Sequence, residues 1–419
     1  MTDNTLSVRC CVAGGGPAGM MLGFLLARAG VDVLVLEKHA DFLRDFRGDT
    51  IHPSTLEVMH ELGLLNEFLK LPHQEVRELN GQVGEMRLTL ADFSRLPTRC
   101  GFIAMMPQWD FLNFLAARAA RYSSFRLLME AEVISLIEES GRVVGVQVRT
   151  RDGPIAVRAD LVVAADGRHS IVREKAGLQV KEFGAPMDVL WFRLSRRPED
   201  PSQTMGRFDV GRIFITINRG DYWQCGFVIP KDQFEEIRKR GIESFRERVA
   251  QLAPYARDRT QELRDWEQVK LLTVRVDRLS RWYRSGLLCI GDAAHAMSPV
   301  GGVGINLAIQ DAVAAANILA GPLREGALTI DHLHRIQKRR ELPTRVTQWL
   351  QVAIQRRIIA RVLDETRPFE PPLLIRLAAR FPLLRRIPGW LIGIGIRPEH
   401  VSASIIASST VNENPGWGR

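Results

Sequence analysis

Val8–Lys38 reads VRCCVAGGGPAGMMLGFLLARAGVDVLVLEK. The run Val8–Ala13 predicts a short strand, Gly14, Gly16 and Gly19 fall at GxGxxG spacing, and Met20–Arg28 carries apolar residues at helical spacing. Val33–Leu36 predicts a second buried strand, which ends on Glu37 and Lys38. Each part of the GGGPAG turn has a physical reason. Gly14 permits a tight turn, Gly16 lets backbone N–H groups approach a pyrophosphate, and Gly19 lets the helix pack closely on the sheet. Gly15, Pro17 and Ala18 complete the turn, and the positive end of the helix dipole meets the phosphates there. Glu37 is placed to accept hydrogen bonds from ribose hydroxyls. The unit predicts an α/β, doubly wound, Rossmann-like fold and a dinucleotide, either FAD or NAD(P).

Outside this unit, composition narrows the class. The chain has 419 residues, 46% hydrophobic and 25% charged, which is enough for two or three subdomains. The opening MTDNTLSVRCC shows no basic-then-apolar leader, so a cytoplasmic location is expected. No apolar run was expected to reach the ~18 residues of a membrane span. The five cysteines form no CxxC pair and read as reduced packing residues, and no HExxH or Cys/His cluster points to a metal. The net charge of +9 is concentrated late, with fourteen Lys/Arg against five Asp/Glu between Arg335 and His400. Those basic residues sit among aliphatics without a nucleic-acid motif, so nucleic acid is not expected as a partner.

Further along, Ser54 and Glu57 have capping-box spacing ahead of a helix that Gly63 stops. Arg44 and Arg47 precede it in a loop. Gln108 opens an apolar-periodic helix, and Ala131–Ile137 with Val143–Arg149 predicts a hairpin around Ser140-Gly141. Ile155–Arg158 and Asp160–Ala164 read as two strands, the second delivering Asp166-Gly167 to a turn. Val180–Trp266 is aromatic-rich with strand alternation and one charged helix, Asp232–Leu252, and predicts an antiparallel substrate layer. A strand over Ser285–Ile290 then runs into GDAAHAMSPVGGVGIN (Gly291–Asn306) and an alanine-rich helix, Ile305–Leu319.

Three motifs therefore stand in order: GGGPAG, ADGRHSIVR (165–173) and GDAAH…P…GGVGIN. This set resembles the FAD-dependent aromatic hydroxylases of the para-hydroxybenzoate hydroxylase type, the class A flavoprotein monooxygenases, over about Val8 to Arg345. The resemblance implies that Gly14–Gly19 hold the FAD pyrophosphate and that Glu37, with Lys38 beside it, holds the adenosine ribose. It implies that Arg47, helped by Arg44, faces the pyrophosphate, Gln108 the ribityl chain, and the Val133 backbone the adenine. Asp166-Gly167 would serve FAD and the passing NADH or NADPH, and Gly291-Asp292 the ribityl chain. Pro299 would lie beside the flavin ring, while Gly302, Val303, Gly304, Ile305 and Asn306 present N–H groups to its pyrimidine edge, where reduced flavin is anionic. It further implies O2 as co-substrate, a C4a-hydroperoxide, and hydroxylation of a small aromatic, polyketide or quinone-like molecule. Alternatives on the same fold are a reductase of a lipophilic prenyl-like substrate and a non-catalytic lipid-binding protein. The stretch YWQCGFVIP bears a superficial likeness to a halogenase motif but differs in spacing.

The expected organisation is an FAD domain from 1–73, 98–179 and 270–340, a β-sheet substrate domain from 74–97 and 180–269, and a helical, basic region over 341–419. His52 is a candidate base for phenol deprotonation or a loop histidine. Arg193 is a candidate substrate or flavin partner or an exposed strand arginine, and His295 reads as part of the GDAAH turn. The run 376–401, with Trp390 and its arginines, reads either as a lid on the protein or as a peripheral contact with the inner face of a membrane.

Overall fold

In the computed structural model, residues 5–43, 50–84, 86–201, 204–364 and 381–407 are described. The main sheet has eight strands, and five of them run parallel, in the order Leu287–Cys289, Gly153–Ala164, Thr5–Ala13, Val33–Leu36, Phe125–Leu128. Their registers pair Ala13 with both Ala164 and Leu36, and Ala164 with Cys289, so the carboxyl ends of four strands finish at one edge. Their carboxyl-end residues, Cys10–Ala13, Val33–Leu36 and Leu161–Ala164, are apolar on both sides because both faces are covered, one of them by the hairpin of Glu132–Glu139 and Arg142–Thr150 with Val172 and Trp282. The helices Pro17–Arg28 and Gly304–Glu325 pack on one face and on each other.

The sequence expected two strands at Ile155–Ala164, but the chain forms one of 12 residues, Gly153–Ala164. Its first half pairs antiparallel with Arg142–Thr150 and its last residues pair parallel with Leu287–Cys289. The hairpin turn at Ser140 and Gly141 has positive φ at both residues, as a tight hairpin demands. Pro53–Glu61 is helical, but His52 is its N-cap and Ser54 lies inside the first turn. The capping-box expectation is therefore corrected: the Ser54 hydroxyl bonds to Asn306 Oδ1 (2.7 Å). The charged helix breaks into Phe234–Lys239 and Ile242–Leu252 at Gly241, whose φ of +86° no helix accommodates. The membrane-span expectation also changes. Val300–Glu325, 26 residues, is long and apolar enough to cross a bilayer, yet 83% of its apolar window is buried inside the protein as a core helix.

The second sheet has seven strands. Lys270–Leu272, Met187–Ser195, Tyr222–Pro230, Arg212–Asn218 and Met205–Asp209 form an antiparallel run. The hairpin Glu78–Val83/Met86–Asp92 joins it through one parallel pair, Met205–Phe208 with Asn80–Val83. Because strand side chains alternate in direction, this sheet has two distinct faces. Leu190, Phe192, Phe214, Trp223 and Phe227 pack under the helix Ile242–Leu252. Val189, Trp191, Ile213, Ile215, Ile217 and Val228 look the other way, toward Val300, Met105 and Ile392.

Candidate active site

The glycine turn is built as its spacing requires. Gly14 has φ +106°, and a Cβ there would lie 2.4 Å from the Ala165 carbonyl oxygen; at Gly19 it would lie 1.9 Å from the Gly14 oxygen. A Cβ at Gly16 meets nothing within 4 Å, so the turn is open on the side a ligand would occupy. The helix begins at Pro17 with no side-chain cap and no acid in its first turn. Its first N–H groups thus lack partners from the helix itself. Glu37, at the end of the neighbouring strand, accepts from Gly15 N (3.0 Å) and His39 N (3.1 Å). Lys38 is exposed. Arg44 and Arg47 lie outside the described residues.

The same edge receives the other two motifs. Asp166 follows the central strand, and its Oδ2 accepts from Val172 N (3.3 Å). Its Oδ1 is shielded from solvent and has no hydrogen-bond partner among the described residues. Burial raises its pKa against hydrogen bonds from Ser170, Val172 and Ile171. Gly167 has φ +85° with open space about it. Gly291, with φ +58°, passes so close to the first helix that a Cβ would sit 3.1 Å from Ala18 Cβ. Asp292 is part-exposed and lies 3.4 Å from Arg168 Nη2, which ties the second motif to the third. Gln108 opens the helix Gln108–Ala119, and Val133 sits in the strand Glu132–Glu139 paired with Val148.

Pro299 caps a 3-10 turn, Val300–Gly302, that leads into Gly304–Glu325, again with no side-chain cap and no acid in the first turn. Gly301 and Gly302 have φ of +78° and +63°. The Gly302 carbonyl accepts from Thr50 Oγ1 (2.9 Å) and faces His52 Nε2 (3.0 Å). His52 Nδ1 faces the Ile392 carbonyl (2.7 Å), and its ring is 0% exposed. Burial lowers its pKa, opposed by the two carbonyls. Both ring nitrogens are thus turned to backbone oxygens. Asn306 is buried, and its Oδ1 accepts from Ser54 and Thr55. An uncapped helix start, an open Gly16 and an orphaned Asp166 oxygen, all at one strand edge, fit a dinucleotide with donors and acceptors to match.

Several residues with clear structural parts carried no sequence signal. Asp311, fully buried, accepts from Gly291 N (3.0 Å), His295 Nε2 (2.6 Å) and Arg340 Nε (2.9 Å). Burial opposes its charge, but His295 and Arg340 hold its pKa below the ordinary carboxylate value. Arg340 also reaches Glu399 Oε1 (3.3 Å). This network fixes His295 in the turn. On the second sheet, the aromatic lining expected for the site is corrected. The pleat sends Phe192, Phe214, Trp223 and Phe227 to the far face and leaves Trp191 on the near face with Phe93, Phe208 and aliphatics. The Trp191 ring lies over Gly226, where a Cβ would be 3.0 Å from it. A glycine inside a strand marks such a close approach. Arg193 is exposed and its guanidinium lies 4.9 Å from the Tyr222 ring centre.

The FAD binding domain family matches residues 7–350. The chain is 34% identical over 381 residues to 6-methylpretetramide 4-monooxygenase of Streptomyces rimosus, covering 90% of this chain and 91% of that protein. It is 29% identical to dialkyldecalin synthase of Streptomyces rugosporus over 72% of this chain and 63% of that longer protein, so it spans less than two thirds of this relative. The structure of p-nitrophenol 4-monooxygenase PnpA from Pseudomonas putida DLL-E4 superposes with a TM-score of 0.73 at 20% identity, over 92% of this chain and 97% of that one. That likeness concerns the fold; the family match and the near full-length relative go further. With its glycine turn, acidic strand ends and uncapped late helix, the chain belongs to the FAD-binding domain family and is an FAD-dependent monooxygenase of the aromatic hydroxylase type.

Proposed function

We propose that the enzyme uses NADH or NADPH and O2 to hydroxylate a flat, fused-ring aromatic polyketide. The observation that supports this best is the apolar sheet face turned toward the Pro299–Asn306 loop, with Trp191 laid across Gly226 as a planar floor. The kinship with a protein named for hydroxylation of 6-methylpretetramide agrees with it. Gly14–Gly19 and Glu37 would hold the pyrophosphate and ribose, Asp166 and Asp292 the polar chain between, and Gly302–Asn306 the pyrimidine edge of the ring. When bound, FAD supplies hydride acceptance from NAD(P)H and activation of O2 for transfer of one oxygen atom to the substrate.

The protein's own residues then do three things. Uncapped N–H groups at Gly304 and its neighbours favour negative charge on the adjacent ring edge. Trp191, Ile215, Ile217 and Ile392 keep water from the reacting centre. Arg193 and Gln224, on the same face as Trp191, offer donors to enolic or phenolic oxygens of the substrate. His52 has both nitrogens directed at carbonyls, so we assign it to holding the loop rather than to deprotonating the phenol.

The test is turnover of a panel of planar phenolic polyketides under 18O2, with NADH and NADPH compared. The expected result is substrate-stimulated oxidation of the nicotinamide and one labelled oxygen atom in the product. Oxidation of the nicotinamide with a reduced, unlabelled product would replace this reading with that of a reductase.

A further inference from the structure

From Pro371 to Pro398 the sequence contains no Asp or Glu but five arginines: Arg376, Arg380, Arg385, Arg386 and Arg397. Within this stretch a 3-10 turn, Pro382–Arg385, runs into the helix Arg386–Gly393. We propose that the outer face of this segment docks the enzyme on a bilayer surface carrying anionic headgroups.

The inner face is fixed to the protein by glycines. A Cβ at Gly389 would stand 2.1 Å from the Asp92 carbonyl oxygen, and one at Gly393 would stand 2.6 Å from Leu96 Cδ1. Ser54 Oγ donates to the Gly393 carbonyl (3.1 Å), His52 holds the Ile392 carbonyl, and Ile392 packs against Met297, Val303 and Leu307. The segment thus walls the flavin-edge loop on its inner side, and it cannot roll to bury its other side without breaking these contacts. That other side carries Leu383, Ile387 and Trp390 at i, i+4, i+7, with relative exposures of 68, 58 and 40%. Phe381 and Leu384 are exposed beside them. So the lid and the surface contact are two faces of one segment rather than alternatives.

An apolar ridge of this kind needs a partner. A second copy of the chain is a poor one. A symmetric contact would bring Arg385 and Arg386 against their own copies, with no acid in the segment to separate them. An anionic bilayer takes both parts. Aliphatic and indole side chains enter the headgroup boundary, and arginines snorkel to the phosphates.

The test uses the full-length holoenzyme and vesicles of phosphatidylcholine alone or mixed with phosphatidylglycerol, and it needs no substrate. Sedimentation with the mixed vesicles is expected to be at least about tenfold stronger than with neutral ones, since each arginine near an anionic surface adds favourable attraction. Raising the salt to about 0.5 M should remove most of that preference. The double variant Leu383→Asp/Ile387→Asp should lose binding to both vesicle types while keeping its flavin content and melting temperature. Arg385→Gln/Arg386→Gln should lose the preference for the anionic ones. Equal or absent sedimentation with both vesicles, or undiminished binding by the Leu383→Asp/Ile387→Asp variant, would overturn the proposal. So would a wild-type dimer in light scattering that this variant splits into monomers without any vesicle binding.

Discussion

The turn at Gly14–Gly19 and the loop at Pro299–Asn306 each aim an uncapped helix start at the same edge of the parallel sheet, and they are held there differently. In the first, Gly19 lies against the Gly14 carbonyl within the turn itself, and the two neighbouring strand ends close it, with Gly14 against Ala165 and the Gly15 N–H on Glu37. In the second, the constraints arrive from far along the chain. Thr50 and His52 take the Gly302 carbonyl from 252 and 250 positions away, and Ser54 and Thr55 hold Asn306. Asp311 and Arg340 brace the turn that precedes it. A turn of the first kind needs its own glycines and the strand ends beside it, whereas one of the second kind depends also on the C-terminal segment being in place.

Within the first turn, two glycines should separate folding from binding. Gly19→Val puts atoms where the Gly14 carbonyl already is, so it is expected to abolish soluble expression. Gly16→Val meets no protein atom within 4 Å, so the protein should fold but purify colourless. Losing even two charge-assisted hydrogen bonds at ~1.5–3 kcal/mol each would weaken FAD binding by a hundredfold or more. Flavin content and circular dichroism of the two variants check this. A yellow, stoichiometric Gly16→Val protein would remove the pyrophosphate assignment.

In the second loop the equivalent break lies far from the glycines. Arg340 is 1% exposed and bonds to two buried carboxylates, Asp311 and Glu399. Arg340→Met should cost about 1.5–3 kcal/mol, because it removes the guanidinium the two carboxylates share and leaves Asp311 to His295 and Glu399 to Arg339. Urea unfolding, with flavin release followed in parallel, is the measurement. A loss below about 1 kcal/mol would mean that His295 and Arg339 suffice for the two carboxylates and that the loop needs no further brace.

The same contrast explains what could be read from the sequence. The glycine turn, its strands, Glu37, and the Asp166 and Asp292 strand ends were legible because each signal is complete within a few residues. The network around Asp311 was not, since Arg340 lies 29 positions from Asp311 and 59 from Glu399, and no periodicity links them. Alternation in Met187–Ser195 announced a sheet with two faces, but not which face meets the cofactor. The aromatic-rich stretch held Trp191 and Phe192 alike, and only the packing shows that Trp191 turns to the near face over Gly226 while Phe192 and Phe214 turn away. Ser54 and Glu57 have capping-box spacing, but the helix starts at Pro53 with His52 as its N-cap, and the Ser54 hydroxyl goes to Asn306 instead.

The smallest effect is expected at His52, and it is a pH slope rather than a loss. No histidine lies in Gly14–Gly19, whereas the second loop is tied through an imidazole set between the Gly302 and Ile392 carbonyls. A neutral ring has one N–H and satisfies one carbonyl; a charged ring satisfies both. Burial dominates and lowers the folded-state pKa below the ordinary histidine value of 6.5. The unfolded chain therefore takes up its proton first as the pH falls. The contribution of the neutral ring is present in full above that value and declines as the pH drops through it. Glutamine offers an amide donor and no titration, so His52→Gln should cost about 1 kcal/mol or less near pH 8. Between about pH 8 and pH 5 the wild type should then lose melting temperature relative to the variant, narrowing or reversing the gap. Thermal unfolding of both proteins across that range decides the sign. A gap that widens toward low pH would mean that the two carbonyls outweigh burial and that the loop is held by an imidazolium.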